Sequence, residues 1–91
     1  MYYVYLLQSK KDDMLYTGYT NDLRRRLKEH NDKENFSTKS RAPFQVIYYE
    51  AYLEKEDAQS REKFLKTGWG RQYIQRVLKH HFQKQHRGLS A

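Results

Sequence analysis

MLYTGYTNDLRRR, residues Met14 to Arg26, places tyrosines on either side of a glycine, follows them with a helix-capping pair, and ends in three consecutive arginines. LYTGYT, Leu15 to Thr20, has the β-branched and aromatic content of a strand. Asn21 or Asp22 then caps a helix running to about Asn31, with Leu23 and Leu27 one turn apart on its apolar side. Aromatic hydroxyls and a run of cations thus fall on two consecutive elements.

Working outward, YYVYLLQ, Tyr2 to Gln8, is a second strand, joined to Leu15–Thr20 through the polar turn Ser9 to Asp13 at hairpin distance. The polar segment Asp32 to Pro43 reads as a loop and FQVIYYEAY, Phe44 to Tyr52, as a third strand. A helix is expected from about Lys55 to Thr67, stopped by Gly68 and Gly70 around Trp69. Another follows from about Arg71 to Gln83, with Ile74, Val77, Leu78 and His81 facing inward. The order β-β-α-β-α-α predicts an α/β protein of the α+β kind: a small three-stranded antiparallel sheet flanked by helices. It forms a single domain over residues 1–83, followed by a flexible basic tail over 84–91.

Ninety-one residues make one thin-cored domain, because a chain this short buries only about 60 to 65% of the surface its unfolded form exposes. Nine Tyr, four Phe and one Trp must supply much of the apolar area, so each tyrosine is expected to be partly buried with its hydroxyl reaching a partner. The absence of cysteine excludes disulfides and thiolate metal sites and fits a reducing compartment. No apolar run approaches the roughly 20 residues that span a bilayer, so no membrane association is expected and the chain reads as cytoplasmic. Net charge is +7, and it is unevenly placed: residues 24–41 carry +4 and residues 61–91 carry +7, while the segments before and between them are acidic. Such clustering suits a polyanion partner as well as a highly soluble surface.

Helical periodicity puts ionisable groups where a thin core wants carbon. The stripe of the first helix is Leu23, Arg26, Leu27, His30, and that of the second is Ala58, Arg61, Glu62, Leu65. Buried charges must be paired or must line a cleft. One arrangement is an Arg–Glu pair bridging the helices, or side chains snorkelling at the edge of the stripe. The other is a cleft holding Arg, His, Glu and strand tyrosines, equipped for a phosphate and a metal. Periodicity does not separate the two. Elsewhere, His80, His81 and His86 lack a carboxylate at matching spacing and read as a solvated tail. Trp69 reads as a core anchor at a helix break, and Glu50, beside Tyr48 and Tyr52 on the third strand, as a structural hydrogen-bond acceptor.

With these residues in place the chain resembles the GIY-YIG nuclease domain, in its short stand-alone bacterial form, over about residues 2–79. Tyr3-Val4-Tyr5 stands where the family has Gly-Ile-Tyr, and Tyr16-Thr17-Gly18 where it has Tyr-Ile-Gly. Arg26, ten residues after Tyr16, falls at the family's catalytic arginine; His30 matches a His or Tyr four residues later, and Glu62 in REKFLK matches the metal-binding glutamate. Two departures stand out. No Asn follows Asn35 to match a late family Asn, for which Gln72 or Gln75 is the nearest substitute, and Tyr19 replaces a lysine found in some members.

The resemblance implies a divalent-metal-dependent DNA endonuclease, with Mg²⁺ or Mn²⁺ on Glu62 and Arg26 clamping the phosphoryl oxygens. Tyr5 is the implied general base, with Tyr16 sharing or assisting that role and His30 completing the catalytic set. Arg24, Arg25, Lys28, Lys39 and Arg41 are expected on flanking phosphates of duplex or branched DNA, with the protein acting as a monomer of low sequence specificity and with DNA repair or recombination as the expected setting. The competing expectation is a nucleic-acid binding module with vestigial chemistry.

Overall fold

Val4 through Ser9 are buried without a break, which an edge strand cannot achieve, so this segment has to be the middle of the sheet. In the computed structural model, which describes residues 1–32 and 38–90, with side chains to residue 85, that is its place. Strand β1 (Tyr2–Ser9) lies between β2 (Leu15–Thr20) and β3 (Phe44–Tyr52), antiparallel to both, in the order β2-β1-β3. The helices are α1 (Leu23–Asn31), α2 (Lys55–Leu65), α3 (Gly68–Val77) and α4 (Lys79–Ser90), with a single 3₁₀ turn at Lys39–Arg41.

The twofold alternation of β1 divides the interior between two faces. Val4 and Leu6 pack with Ala58, Leu65 and Ile74 of α2 and α3. Tyr5 and Leu7 pack on the opposite face with Phe44, Tyr16 and the Leu23 and Leu27 stripe of α1. The chain is therefore a three-layer sandwich with β1 at its centre. A bulge between Leu6 and Leu7 leaves Ile47 of β3 without a cross-strand partner, so that the neighbours Ile47 and Tyr48 both pack on the α2 and α3 side while Val46 packs on the α1 side.

Asp22 caps α1 as expected, its carboxylate accepting from the Arg25 amide at 3.1 Å. Gly68 and Gly70 do not simply stop α2. They form the first turn of α3, capped by Thr67, whose hydroxyl accepts from the Gly70 amide at 3.1 Å. A Cβ on Gly70 would fall 2.2 Å from the Phe64 carbonyl oxygen, so only glycine lets α3 begin this close to the end of α2. Trp69, expected in the core, is 76% exposed, because the turn that seats Gly70 against α2 rotates its neighbour outward. The helix expected over 71–83 breaks at Leu78, which turns Val77 to solvent, and α4 runs on to Ser90 through residues assigned to the tail. His81 Nε2 and Gln85 Nε2 both reach the buried Gln8 Oε1, at 2.8 and 2.7 Å. An amide in the middle of β1 thus has its partners supplied from α4, and His81 and Gln85 are ordered rather than frayed. Asn35 and the side chain of His86 lie outside the described residues.

The α1 face is closed by His30, whose side chain is fully buried. Its Nδ1 lies 2.7 Å from Thr38 Oγ1 and its Nε2 3.3 Å from the Tyr5 hydroxyl, with the rings of Tyr16 and Phe44 edge-on at 5.1 and 5.9 Å. Burial, and then the nearby Arg26 charge, pull its pKa from 6.5 to about 4. Between those values the unfolded chain binds a proton that the folded chain refuses. This part of the stability is fully present above pH 6.5 and is lost as the pH falls toward 4. Lowering the pH from about 7 to about 5 should cost about 2 kcal/mol in urea unfolding. His30→Gln should flatten that loss by a similar amount; an unchanged pH dependence in the variant would show that His30 is not its source.

Candidate active site

Tyr5 and Gly18 face each other across β1 and β2, and the whole site rests on that pairing. A Cβ on Gly18 would lie 2.5 Å from the Tyr5 hydroxyl and 2.7 Å from Cζ. The ring of Tyr5 therefore crosses the backbone of Gly18 toward the outer edge of the sheet. The missing side chain of Gly18 thus makes room for a side chain of the same protein.

The Tyr5 hydroxyl lies 3.3 Å from the buried His30 Nε2, and the Arg26 guanidinium, one turn earlier on α1, favours its ionised form. His30, held neutral, has one donor and one acceptor nitrogen. Thr38, which the polar loop gave no periodic signal to find, fixes the ring through Nδ1.

Desolvation raises the Tyr5 pKa above its usual 10, Arg26 opposes that through its hydrogen bond and its charge, and Tyr16 and the Glu62 carboxylate add smaller raising contributions. For Arg26, partial burial works against the charge, but Tyr5 and Glu29, whose carboxylate lies 3.7 Å from Nη1, more than offset it, so its pKa moves up and the cation is secure.

The structure thus brings Tyr5, Tyr16 and His30 together through a hydrogen bond and ring contacts, with Arg26 one turn before His30 on the same helix. Glu62 stands apart from that group: α1 packs on one face of the sheet and α2 on the other, where α2 lies on β1 and β2. A small effect of its charge on the Tyr5 hydroxyl is what connects it to the group. The Glu62 side chain is 20% exposed and its Oε2 lies 3.1 Å from Lys66 Nζ. The neighbouring Arg61 has the structural arrangement that periodicity had allowed. It forks onto Glu50 at 2.8 and 3.1 Å and lies over the rings of Phe64 and Tyr73, while Glu50 also accepts from Tyr48 and Tyr52. One stripe therefore holds a core ion pair and, one residue on, a carboxylate paired with Lys66.

The expected phosphate contacts differ in their freedom. Arg24 is exposed on the outer arc of α1. Arg25 is also largely exposed, with Asn21 Oδ1 at 3.0 Å and Glu29 at 3.8 Å. Lys28 pairs with Asp32, and Lys39 is exposed on the 3₁₀ turn. Arg41 is turned inward to Asp12 at 3.5 Å and the Leu15 carbonyl, where it ties the 3₁₀ turn to the hairpin. Gln72 and Gln75 are both exposed on α3. Gln75 lines a cavity of about 480 Å³ together with Tyr16, Lys66 and Arg71.

Among the described residues no cluster of three His, Asp or Glu side chains could hold a metal by itself. A single carboxylate on an open edge suits a cation that keeps most of its waters and takes its remaining ligands from a substrate phosphate, which is the habit of Mg²⁺. No described helix is long and apolar enough to cross a membrane.

Comparison with known proteins gives one consistent result. Residues 1–73 match the model of the GIY-YIG catalytic domain. The chain is 41% identical over 78 residues to UPF0213 protein CPE1444 of Clostridium perfringens, covering 85% of this chain and 83% of that one. It is 40% identical over 67 residues to UPF0213 protein HQ_3675A of Haloquadratum walsbyi, covering 72% and 74%. The solution structure of UPF0213 protein BH0048 from Bacillus halodurans superposes with a TM-score of 0.52 at 33% identity over 85% of each chain. With the fold, the two tyrosine motifs and the family model in agreement, this chain belongs to the GIY-YIG family of nuclease catalytic domains.

Proposed function

We propose that the protein is a metal-dependent DNA endonuclease of low sequence specificity that acts as a monomer. The observation that carries this reading is the Tyr5 phenol, hydrogen-bonded to a neutral, buried His30 on the helix that also carries Arg26. A strand phosphate laid over this edge meets Arg26, whose planar fork matches two phosphoryl oxygens and stabilises the charge that builds on them during attack. Tyr5 orients the attacking water and accepts its proton, and His30 steadies the phenol by a hydrogen bond that Thr38 keeps in one geometry. Tyr16, packed on the His30 ring, borders the same water position. Glu62 would hold a Mg²⁺ or Mn²⁺ ion, which when bound supplies Lewis-acid stabilisation of the leaving oxygen. Arg24, Arg25, Lys28 and Lys39 border the site as phosphate contacts, and contacts of that kind do not discriminate sequence.

The raised Tyr5 pKa gives the second reading its footing. In the free protein the phenol is a reluctant base, and if no cation lowers it the domain is a binding module. Nicking of plasmid and branched DNA with and without Mg²⁺ or Mn²⁺ decides between them. Cleavage only with metal supports the endonuclease, while salt-sensitive binding without cleavage of any duplex, branched or single-stranded substrate supports the module.

If the endonuclease reading holds, Glu62→Gln should abolish metal-dependent cleavage with DNA affinity kept or slightly raised. Arg26→Ala should lower both. Tyr5→Phe should slow cleavage by about two to four orders of magnitude at unchanged affinity. Wild-type rates in Glu62→Gln would assign the activity to another site.

Gly18→Ala tests the geometry without touching a reacting group. Its methyl group must push the Tyr5 ring aside, so cleavage should fall by at least about tenfold while the sheet still folds, because Ala is accepted in a strand. Full activity in Gly18→Ala would mean that the position of the Tyr5 ring does not matter.

A further inference from the structure

Lys66 entered the site unannounced by any motif. It is the C-cap of α2, one turn after Glu62, and its Nζ lies 3.1 Å from Glu62 Oε2. A carboxylate whose side chain is only 20% exposed needs a cation near it, and among the described residues Lys66 is the cation paired with it. The lysine also has somewhere else to go. It lines the cavity of about 480 Å³ between β2 and α3, whose floor is Leu6, Leu65 and Ile74 and whose rim includes Asp13. An ammonium on a four-carbon stem, itself 56% exposed, can swing from one carboxylate to the other with its methylenes along the apolar floor.

We infer that Lys66 is the resident counter-ion of Glu62 in the metal-free protein: it occupies the carboxylate oxygen that a divalent ion must take, and it withdraws toward the Asp13 side of the cavity when the ion binds. This rests on the proposed role of Glu62 as metal ligand and adds a regulation of that site. The lysine keeps Glu62 neutralised, and the Tyr5 phenol less perturbed, until a cation arrives. It also opposes binding of an ion that has no phosphate to share. Metal occupancy is thereby coupled to the substrate, since a bound strand offers both further ligands for the ion and a new anion for the displaced ammonium. An exposed ion pair is weak, so the barrier is modest and reversible, which suits a gate rather than a block.

The test measures metal binding without turnover. Mn²⁺ is titrated into the full chain in the absence of DNA, and binding is followed by free-Mn²⁺ electron paramagnetic resonance and by paramagnetic broadening of amide NMR signals around Glu62, which reads weak sites. Lys66→Gln should bind Mn²⁺ about three- to tenfold more tightly than wild type. Lys63→Gln, which removes the same charge from an exposed position on the same helix, should change affinity by less than about twofold. Equal affinity in Lys66→Gln and wild type, an equal gain in Lys63→Gln, or no broadening near Glu62 in either wild type or Lys66→Gln overturns the inference. Glu62→Gln separates this from failure of the underlying reading. If it binds Mn²⁺ like wild type, Glu62 is not a ligand and both fall; if it loses binding while Lys66→Gln is unchanged, the ligand stands and only the counter-ion role is refuted.

Discussion

The absence of a side chain at position 18 is the constraint on which the rest of the site depends. Because the Tyr5 ring passes where a Cβ would sit, an aromatic residue from the central strand lies across β2 while staying buried in the core. Two consequences follow. The hydroxyl is delivered to His30 on α1. The ring also forms one wall of the small box that buries His30, so the same residue belongs to the core and to the chemistry. A thin-cored domain gains from that economy, since it has few residues to assign to one task alone.

His30 shows how burial and function are joined. In a box of Tyr5, Tyr16, Phe44 and Thr38 its imidazole is neutral near physiological pH, which removes a positive charge that would compete with Arg26 for the phosphate and leaves one ring nitrogen able to accept a proton. The desolvation that lowers its pKa also raises that of Tyr5. The site is therefore built with a weak acid and a weak base in contact, both biased toward their uncharged forms, and Arg26 is the fixed charge between them. Any ionisation of the phenol has to be driven from outside, by a cation or by the substrate complex.

Much of the fold was legible because it rests on local rules. The Asp22 cap, the hairpin spacing and the alternation of Phe44–Tyr52 each act within a few residues, and the structure follows them. The inward places of Arg26, His30 and Glu62 were legible from periodicity, but their partners were not. Arg61 and Glu62 are adjacent on one stripe, yet the first is drawn into a core pair with Glu50 and the second is paired with Lys66. That division depends on where β3 places Glu50, a contact between residues 11 apart that no helical pattern encodes. Trp69 was misread for a related reason. The two glycines around it mark a close helix–helix approach rather than a stop, and a residue between a capping Thr67 and a packed Gly70 is forced outward. Thr38 was invisible for want of any periodicity in a polar loop, although it orients the histidine; Lys66 stands at the i,i+4 spacing from Glu62 that makes helical pairs legible.

The layered placement of the charged groups also bears on why the site is open. Arg26 and Glu62 come from opposite faces of the sheet, and direct pairing of the two would extinguish both as ligands for a phosphate and a cation. The structure avoids this by giving each a local partner of modest strength on its own helix, Glu29 at 3.7 Å for Arg26 and Lys66 at 3.1 Å for Glu62. Pairs of this i,i+3 or i,i+4 kind contribute only a few tenths of a kcal/mol when solvent-exposed. They satisfy the charges in the free protein and cost little to break, so that on the proposed reading Arg26 can turn to a phosphate and Glu62 to a cation without either charge having been extinguished by the other.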